Sequence, residues 1–270
     1  MREDINNLDA LLEKMWQDYL ETNPPAQRIY ELLHNEGEEI LNDHIAFRTF
    51  NHPKVDIDVL AKAFLENGYE EKGNYKFPAK KLFAKHFQHP DGKKPKIFIS
   101  ELILEEFDQE LKEIVYQLLK QFPEKYTHRT DFTTFGRPWE VSYETYQKLK
   151  EKSEYAAWMA AFGFRPNHFT INVNHLKKYD SLQKLNQYLK DNGFKLNDSG
   201  GEIKGSKEVY LEQSSTLAYN TEVEFSDGLY TIPACYYEFA LRYPGPDGKL
   251  FQGFVAKSAD KIFESTDKGQ

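Results

Sequence analysis

Cysteine is almost missing from this chain. Cys235 is the only one in 270 residues, which excludes an intramolecular disulfide and any zinc module built from several thiolates. Long apolar runs are missing too, with no window near the ~18 uninterrupted residues that a membrane helix requires. The opening Met-Arg-Glu-Asp carries acids where a signal peptide needs basic and then apolar residues, so a cytoplasmic protein is expected. Positive charge is in deficit, with 35 Lys and Arg against 43 Asp and Glu and a net charge of −8. That balance argues against nucleic acid as a partner, and the lack of apolar runs argues against a membrane. No H-E-x-x-H pattern is present, which removes the usual zinc-protease helix. What remains is ordinary globular material, 40% hydrophobic and 29% charged. It fits one large domain or two small ones acting on something small, and it is equally compatible with monomer and dimer.

Apolar spacing gives the order of elements. Ile5, Leu8, Leu12, Met15, Trp16, Tyr19 and Leu20 predict an amphipathic helix stopped by Asn23-Pro24-Pro25, followed by a short helix over 26–33. Residues 43–50 read as a strand, 55–65 as a helix ending at Asn67-Gly68, and 75–77, 82–88 and 96–104 as extended runs. From 105 to 163 the pattern is mostly helical. One face is formed by Phe107, Leu111, Ile114, Val115, Leu118 and Leu119, a loop covers 133–141, and a second helix covers 143–162. The strand–helix–strands order then returns, with extended pieces at 168–174, 202–204, 208–213, 221–225 and 234–243 and a helix at 182–189. A last helix is expected at 258–263. The segments that open at His44 and His168 look like copies, 124 residues apart (168 − 44). A duplicated β-α-β-β-β unit predicts an α+β fold in which two small sheets join around one cleft. The expected parts of this single domain are N-terminal helices (1–40), module one (41–104), a helical insertion (105–163), module two (164–256) and a C-terminal helix (257–270).

Strand alternation then sorts the side chains. His44, Ala46 and Arg48 share one face of the first strand. His168, Thr170 and Asn172 share a face of its counterpart, and Tyr236, Glu238, Ala240 and Arg242 share a face of the last strand. If the sheets wrap one cleft, His44, His168 and Glu238 can meet. Two imidazoles and a carboxylate with open positions are the facial triad of non-haem Fe(II) enzymes, and a divalent cation would satisfy all three groups at once. Glu101, the formal counterpart of Glu238 in the first copy, is a candidate fourth ligand or a paired structural carboxylate. His34, His52 and His89 read as solvated loop residues, whereas His86, His128 and His175 follow no pattern. Arg48 lies four residues from His44, so their Cα atoms are about 13 Å apart along a strand. Its planar fork suits a carboxylate, and a salt bridge to a neighbouring acid is the alternative. Arg242 could bind substrate or orient Glu238 or Glu101. Gln213, Ser215 and Thr216 are expected to line the cleft as polar support, Tyr236 and Trp158 to pack in its wall, and the lysines between 76 and 96 to form a solvated edge able to draw in an anion.

The pieces D-H-I-A-F-R-T-F (43–50), F-R-P-N-H-F-T (164–170), L-E-Q-S-S-T (211–216) and Y-Y-E-F-A-L-R (236–242) resemble the 2-oxoadipate dioxygenase/decarboxylase (hydroxyglutarate synthase) family over roughly residues 40–255. The resemblance implies a vicinal-oxygen-chelate-like fold, a curved mixed sheet of paired modules enclosing a metal. It also implies Fe(II) held by His44, His168 and Glu238, and a substrate carboxylate held by Arg48. The implied reaction uses O2 to decarboxylate a 2-oxo acid such as 2-oxoadipate to a 2-hydroxy acid such as 2-hydroxyglutarate, within lysine catabolism. Studied members of that family are longer, and the missing sequence bears on the pocket walls and so on the substrate. Two other readings keep the site. One is a glyoxalase-type isomerase or hydrolase using Zn(II), Ni(II) or Mn(II) without oxygen; the other is a non-catalytic module that binds a small ligand.

Overall fold

The computed structural model describes residues 7–127 and 129–256; Ile5, His128 and the helix expected at 258–263 lie outside the described residues. The chain opens with α1 (Leu8–Thr22) and α2 (Pro24–Asn35). Asn7 caps α1 by accepting from Ala10 N. Pro24 and Pro25 occupy the first turn of α2, where no backbone donor is needed, so one tripeptide ends a helix and starts the next. His34 therefore sits in α2 rather than in a loop.

Module one is β1 (Asn42–Phe50), α3 (Ile57–Glu66), β2 (Glu70–Phe77), β3 (Leu82–Gln88) and β4 (Lys96–Leu102). Three helices follow, α4 (Gln109–Gln121), α5 (Tyr143–Lys152) and α6 (Glu154–Phe162). Module two is β5 (His168–Asn172), α7 (Leu182–Asp191), β6 (Lys204–Ser206), β7 (Leu211–Ser215) and β10 (Tyr236–Arg242). A hairpin of β8 (Asn220–Phe225) and β9 (Gly228–Pro233) is inserted before its last strand. The main sheet runs β2-β3-β4-β1-β5-β10-β7-β6. Its two halves share one design. In each, the module's first strand pairs parallel with its last, and β1 and β5 join the halves antiparallel. The expected duplication is present, and the sheet curls into a half-barrel.

The outer face of the sheet is sealed by aromatic packing. Trp16 and Tyr19 of α1 lie on Phe169 and Tyr237 at centroid distances between 4.9 and 6.2 Å, and Phe64 of α3 lies on Phe47. Such pairs add about 0.5–1.5 kcal/mol each beyond their buried area. The inner face is closed at one end by α6, whose residues Tyr155–Phe162 are all buried, and at the other by the segment ending at Phe254.

Three expectations need correction. The single helix over 143–162 is two, because Ser153 is extended (φ −159°, ψ 109°) and its hydroxyl accepts from Ala156 N to cap α6. The run 208–213 begins as a 3-10 turn at Lys207–Val209 with Tyr210 at φ 63°, so β7 starts only at Leu211. The β8–β9 hairpin is a second strand pair where one strand was expected, turned by Ser226-Asp227 before Gly228 at φ 148°.

Candidate metal centre

Sheet register assembles the site row by row. Lys96, His44, Thr170, Glu238 and Ser215 lie side by side across β4, β1, β5, β10 and β7; Phe98, Ala46, His168 and Tyr236 form the next row; Ser100 and Arg48 open the third. Rows on one face are two residues apart, about 6.6 Å. His44 and Glu238 thus share a row and His168 stands in the adjacent one. One ligand atom from each lies within 4.8 Å of the others, and all three side chains are buried. His44 Nε2 is 3.5 Å from Glu238 Oε1, and His168 Nε2 is 3.3 Å from Glu238 Oε2.

Each imidazole is held by the residue before it. His44 Nδ1 donates to Asp43 Oδ1 at 2.8 Å, and His168 Nδ1 donates to Asn167 Oδ1 at 3.1 Å. These bonds place the ring proton on Nδ1 and leave both Nε2 lone pairs turned toward Glu238. Strict alternation would aim Asp43 at the outer face. Pairing of Asn42 with Ile171 and of His44 with Thr170 leaves Asp43 as the extra residue of a bulge, which re-aims it. Asp43 is in turn clamped by Arg242, Nε to Oδ2 at 2.6 Å and Nη2 to Oδ1 at 2.8 Å. Burial would raise the Asp43 carboxyl, but Arg242, then Lys96 and the hydrogen bond from His44 hold it well below the usual carboxylate range. Glu238 is raised by burial, against the pull of His44 and Gln213. His168 is held well below the usual imidazole range, by burial first and then by His44 and Arg48. Gln213 Nε2 donates to Glu238 Oε1 at 2.5 Å, whereas the buried Oε2 makes no hydrogen bond among the described residues. His168 Nε2 facing the orphaned Oε2, with His44 Nε2 turned to Oε1 of the same carboxylate and within 3.1 Å of Thr170 Oγ1, fits a divalent cation. Without one, the buried Oε2 is a costly unmatched group.

Because Asp43 fixes the ring of His44, Asp43→Asn should weaken divalent-metal affinity by about 10–100-fold. Left without its anion, Arg242 should also cost about 3–5 kcal/mol of stability. Equilibrium dialysis and denaturant unfolding measure the two effects; unchanged metal affinity would mean that Asp43 serves the fold alone.

Other expected residues fall as follows. Arg48 is 1% exposed, stacked 4.9 and 5.0 Å from the rings of Tyr155 and Trp158, with Nη1 3.4 Å from Glu154 Oε2. A cleft of about 240 Å³ leads to it between Lys80, Lys81, Lys152 and Glu154. Trp158 is wall packing as expected, its Nε1 donating to Ala234 O. Arg242 serves Asp43 and the carbonyls of Phe251 and Gly253, rather than Glu238 or Glu101. Gln213 and Ser215 lie on the inner face of β7, opposite Ala240 and Glu238, whereas Thr216 is spent on Tyr237 N. Glu101 is no ligand. It pairs with Thr49 on the opposite face and accepts from Ile57 N at the start of α3. Register makes Phe98, not Glu101, the counterpart of Glu238: Ala46 faces Phe98 as Thr170 faces Glu238. His86 is buried on β3 between Tyr75 and Gln88, and burial, then Arg242 and Lys96, lower it to about 4. Asp43, Asn167 and Phe254, whose ring lies 4.9 Å from that of His44, were not anticipated. The repeated Asp-His and Asn-His dipeptides were the available signal for the first two.

Comparison with known proteins adds the following. The family profile described as 2-oxoadipate dioxygenase/decarboxylase matches residues 2–130 and 124–249, so the likeness extends to the N-terminal helices. A rice (Oryza sativa subsp. japonica) protein named 2-oxoadipate dioxygenase/decarboxylase, chloroplastic/amyloplastic, is 37% identical over 97% of this chain and 79% of its own. The structure of hydroxyglutarate synthase from Oryza sativa in complex with 2-oxoadipate superposes with a TM-score of 0.91 at 37% identity, covering 95% of this chain and 91% of that one. A Shewanella frigidimarina structure, labelled provisionally as a hydrolase, gives 0.90 at 51% identity over 94% of this chain and 100% of that one. No helix among the described residues is long and apolar enough to cross a membrane.

Proposed function

The chain belongs to the 2-oxoadipate dioxygenase/decarboxylase family, and we propose that it is an Fe(II)-dependent enzyme that uses O2 to decarboxylate a dicarboxylic 2-oxo acid of the 2-oxoadipate type, giving a 2-hydroxy acid such as 2-hydroxyglutarate and CO2. The observation that carries the reading is the spatial relation of two features on one buried face. The cluster of His44, His168 and Glu238 and the guanidinium of Arg48 lie on the same side of the sheet, their strand positions four residues apart along β1. That separation suits a short chain with a metal-chelating keto acid at one end and a carboxylate at the other.

His44 Nε2, His168 Nε2 and Glu238 Oε2 would hold the iron. When bound, the metal supplies the oxygen activation and the polarisation of the keto acid that no side chain can provide. The rest belongs to the protein. Asp43 and Asn167 keep the imidazoles aimed. Gln213 restrains Glu238 so that one oxygen stays available. Arg48 binds the far carboxylate of the substrate, stiffened by the rings on which it lies. The lysines at the mouth of the cleft attract a dianion toward that guanidinium, while α6 and Phe254 exclude water from the buried face. No general base is needed.

The test is oxygen uptake by the Fe(II)-reconstituted protein over a panel of 2-oxo acids, with CO2 release measured in parallel. Uptake coupled to CO2 and strongest with 2-oxoadipate is expected. Turnover without oxygen, or none with any member of the panel, would turn the assignment toward an isomerase, a hydrolase or a binding protein.

A further inference from the structure

Tyr236 has no part in the chemistry above, yet its position is unusual. It opens β10 two residues before Glu238, on the same face, in register with His168. Its ring stacks on that imidazole at 4.6 Å and 25°. The residue is completely buried, its backbone carbonyl accepts from Tyr19 Oη at 2.6 Å, and its own hydroxyl makes no hydrogen bond among the described residues. A buried hydroxyl without a partner costs free energy that the fold does not recover elsewhere. Wall packing alone would be met by phenylalanine.

Register shows where that hydroxyl belongs. Tyr236 stands in the row between the row of His44 and Glu238 and the row of Arg48. Trp158, on whose ring the Arg48 guanidinium lies, is tied through its Nε1 to Ala234 O, two residues before Tyr236. The head group of Arg48 is therefore brought beside the start of β10, on the Tyr236 side of the metal cluster. We propose that the Tyr236 hydroxyl is a second anchor for the distal carboxylate of the substrate, donating to one oxygen while Arg48 takes the other, and so sets the preference for dicarboxylic over monocarboxylic 2-oxo acids. The proposal rests on the function assigned above and adds the specificity residue to it.

The test measures binding without turnover. Iron-loaded wild type and Tyr236→Phe are titrated calorimetrically under anaerobic conditions with 2-oxoadipate and with 2-oxohexanoate, which has the same length but no second carboxylate. Losing a hydrogen bond to a charged group should weaken 2-oxoadipate about 10- to 100-fold, with 2-oxohexanoate within about twofold and iron content unchanged. Wild type that discriminates, together with a variant that discriminates equally well, overturns the anchor alone. Equal losses for both ligands, or loss of iron, also overturn it by placing Tyr236 in the metal centre or the scaffold. Wild type that fails to prefer 2-oxoadipate overturns the substrate assignment, and the anchor with it.

Discussion

Glu238→Gln should leave a folded protein that no longer retains divalent metal. Glutamine keeps the size of the side chain and can still accept from Gln213 at the Oε1 position, where the bond is 2.5 Å. What it removes is the only anion among the three groups that converge within 4.8 Å. Two imidazoles alone bind Fe(II) weakly, so affinity should fall by more than the ~100-fold upper range for supporting residues. Stability should move in the other direction. Burial raises the Glu238 carboxyl, so the folded apo-protein binds a proton more tightly than the unfolded chain does. An acid raised on folding contributes stability at low pH that is lost as pH climbs through its unfolded and then its folded value. Above the raised folded value that contribution is gone, and there the neutral amide removes the cost of the buried charge. Without metal, Glu238→Gln should therefore melt at or above the wild-type temperature. Excess metal should stabilise only the wild type, by about 2.7 kcal/mol at a concentration 100 times the dissociation constant. Metal analysis and paired melting curves decide it, and full iron occupancy in the variant would remove Glu238 from the ligand set.

The contrast between Glu238 and Glu101 also shows which parts of this site can be read from sequence. His44 and His168 were legible because each lies near the start of the first strand of a copy, and equivalent strands in a duplicated fold place equivalent residues at one seam. Matching the last strands was harder. Aligning K-I-F-I-S-E-L with C-Y-Y-E-F-A-L sets Lys96 against Cys235, whereas the sheet sets it against Tyr236. A slip of one residue exchanges the two faces of a strand, which is enough to offer Glu101 as a ligand when it faces the other way. Alternation also hid Asp43, because only a bulge in β1 lets a residue adjacent to His44 share its side of the sheet. The role of Arg242 was hidden with it: its partner lies 199 residues away and on the face that alternation forbids. Phe254 comes from a segment without regular structure, and nothing periodic predicts that it packs against His44. Local pattern identified the strands and the three groups that converge, but the side chains that orient those groups depend on register.

Arg48→Lys should separate charge from geometry at the far end of the substrate. Lysine keeps the positive charge but offers a point donor in place of a planar fork, and it loses the stacking on Tyr155 and Trp158. Truncating one member of a buried charge pair costs about 2–5 kcal/mol. A partial replacement should therefore lower kcat/KM for 2-oxoadipate on the order of 10²-fold, mostly through KM, with metal content unchanged. The corresponding loss for 2-oxohexanoate should be small, since that ligand brings no carboxylate to the guanidinium. Glu154 adds an internal check. Its Oε2 lies 3.4 Å from Arg48 Nη1 at the mouth of the cleft, where it competes with an incoming carboxylate and also holds the side chain in place. If competition dominates, Glu154→Gln tightens 2-oxoadipate in wild type and does less in Arg48→Lys. If holding dominates, it weakens binding in wild type alone. The same logic ties Arg48 to Tyr236. Two donors on one carboxylate cannot fail independently, so Arg48→Lys combined with Tyr236→Phe should lose less than the sum of the two separate losses. Strict additivity in that cycle would mean that the two side chains serve different parts of the ligand.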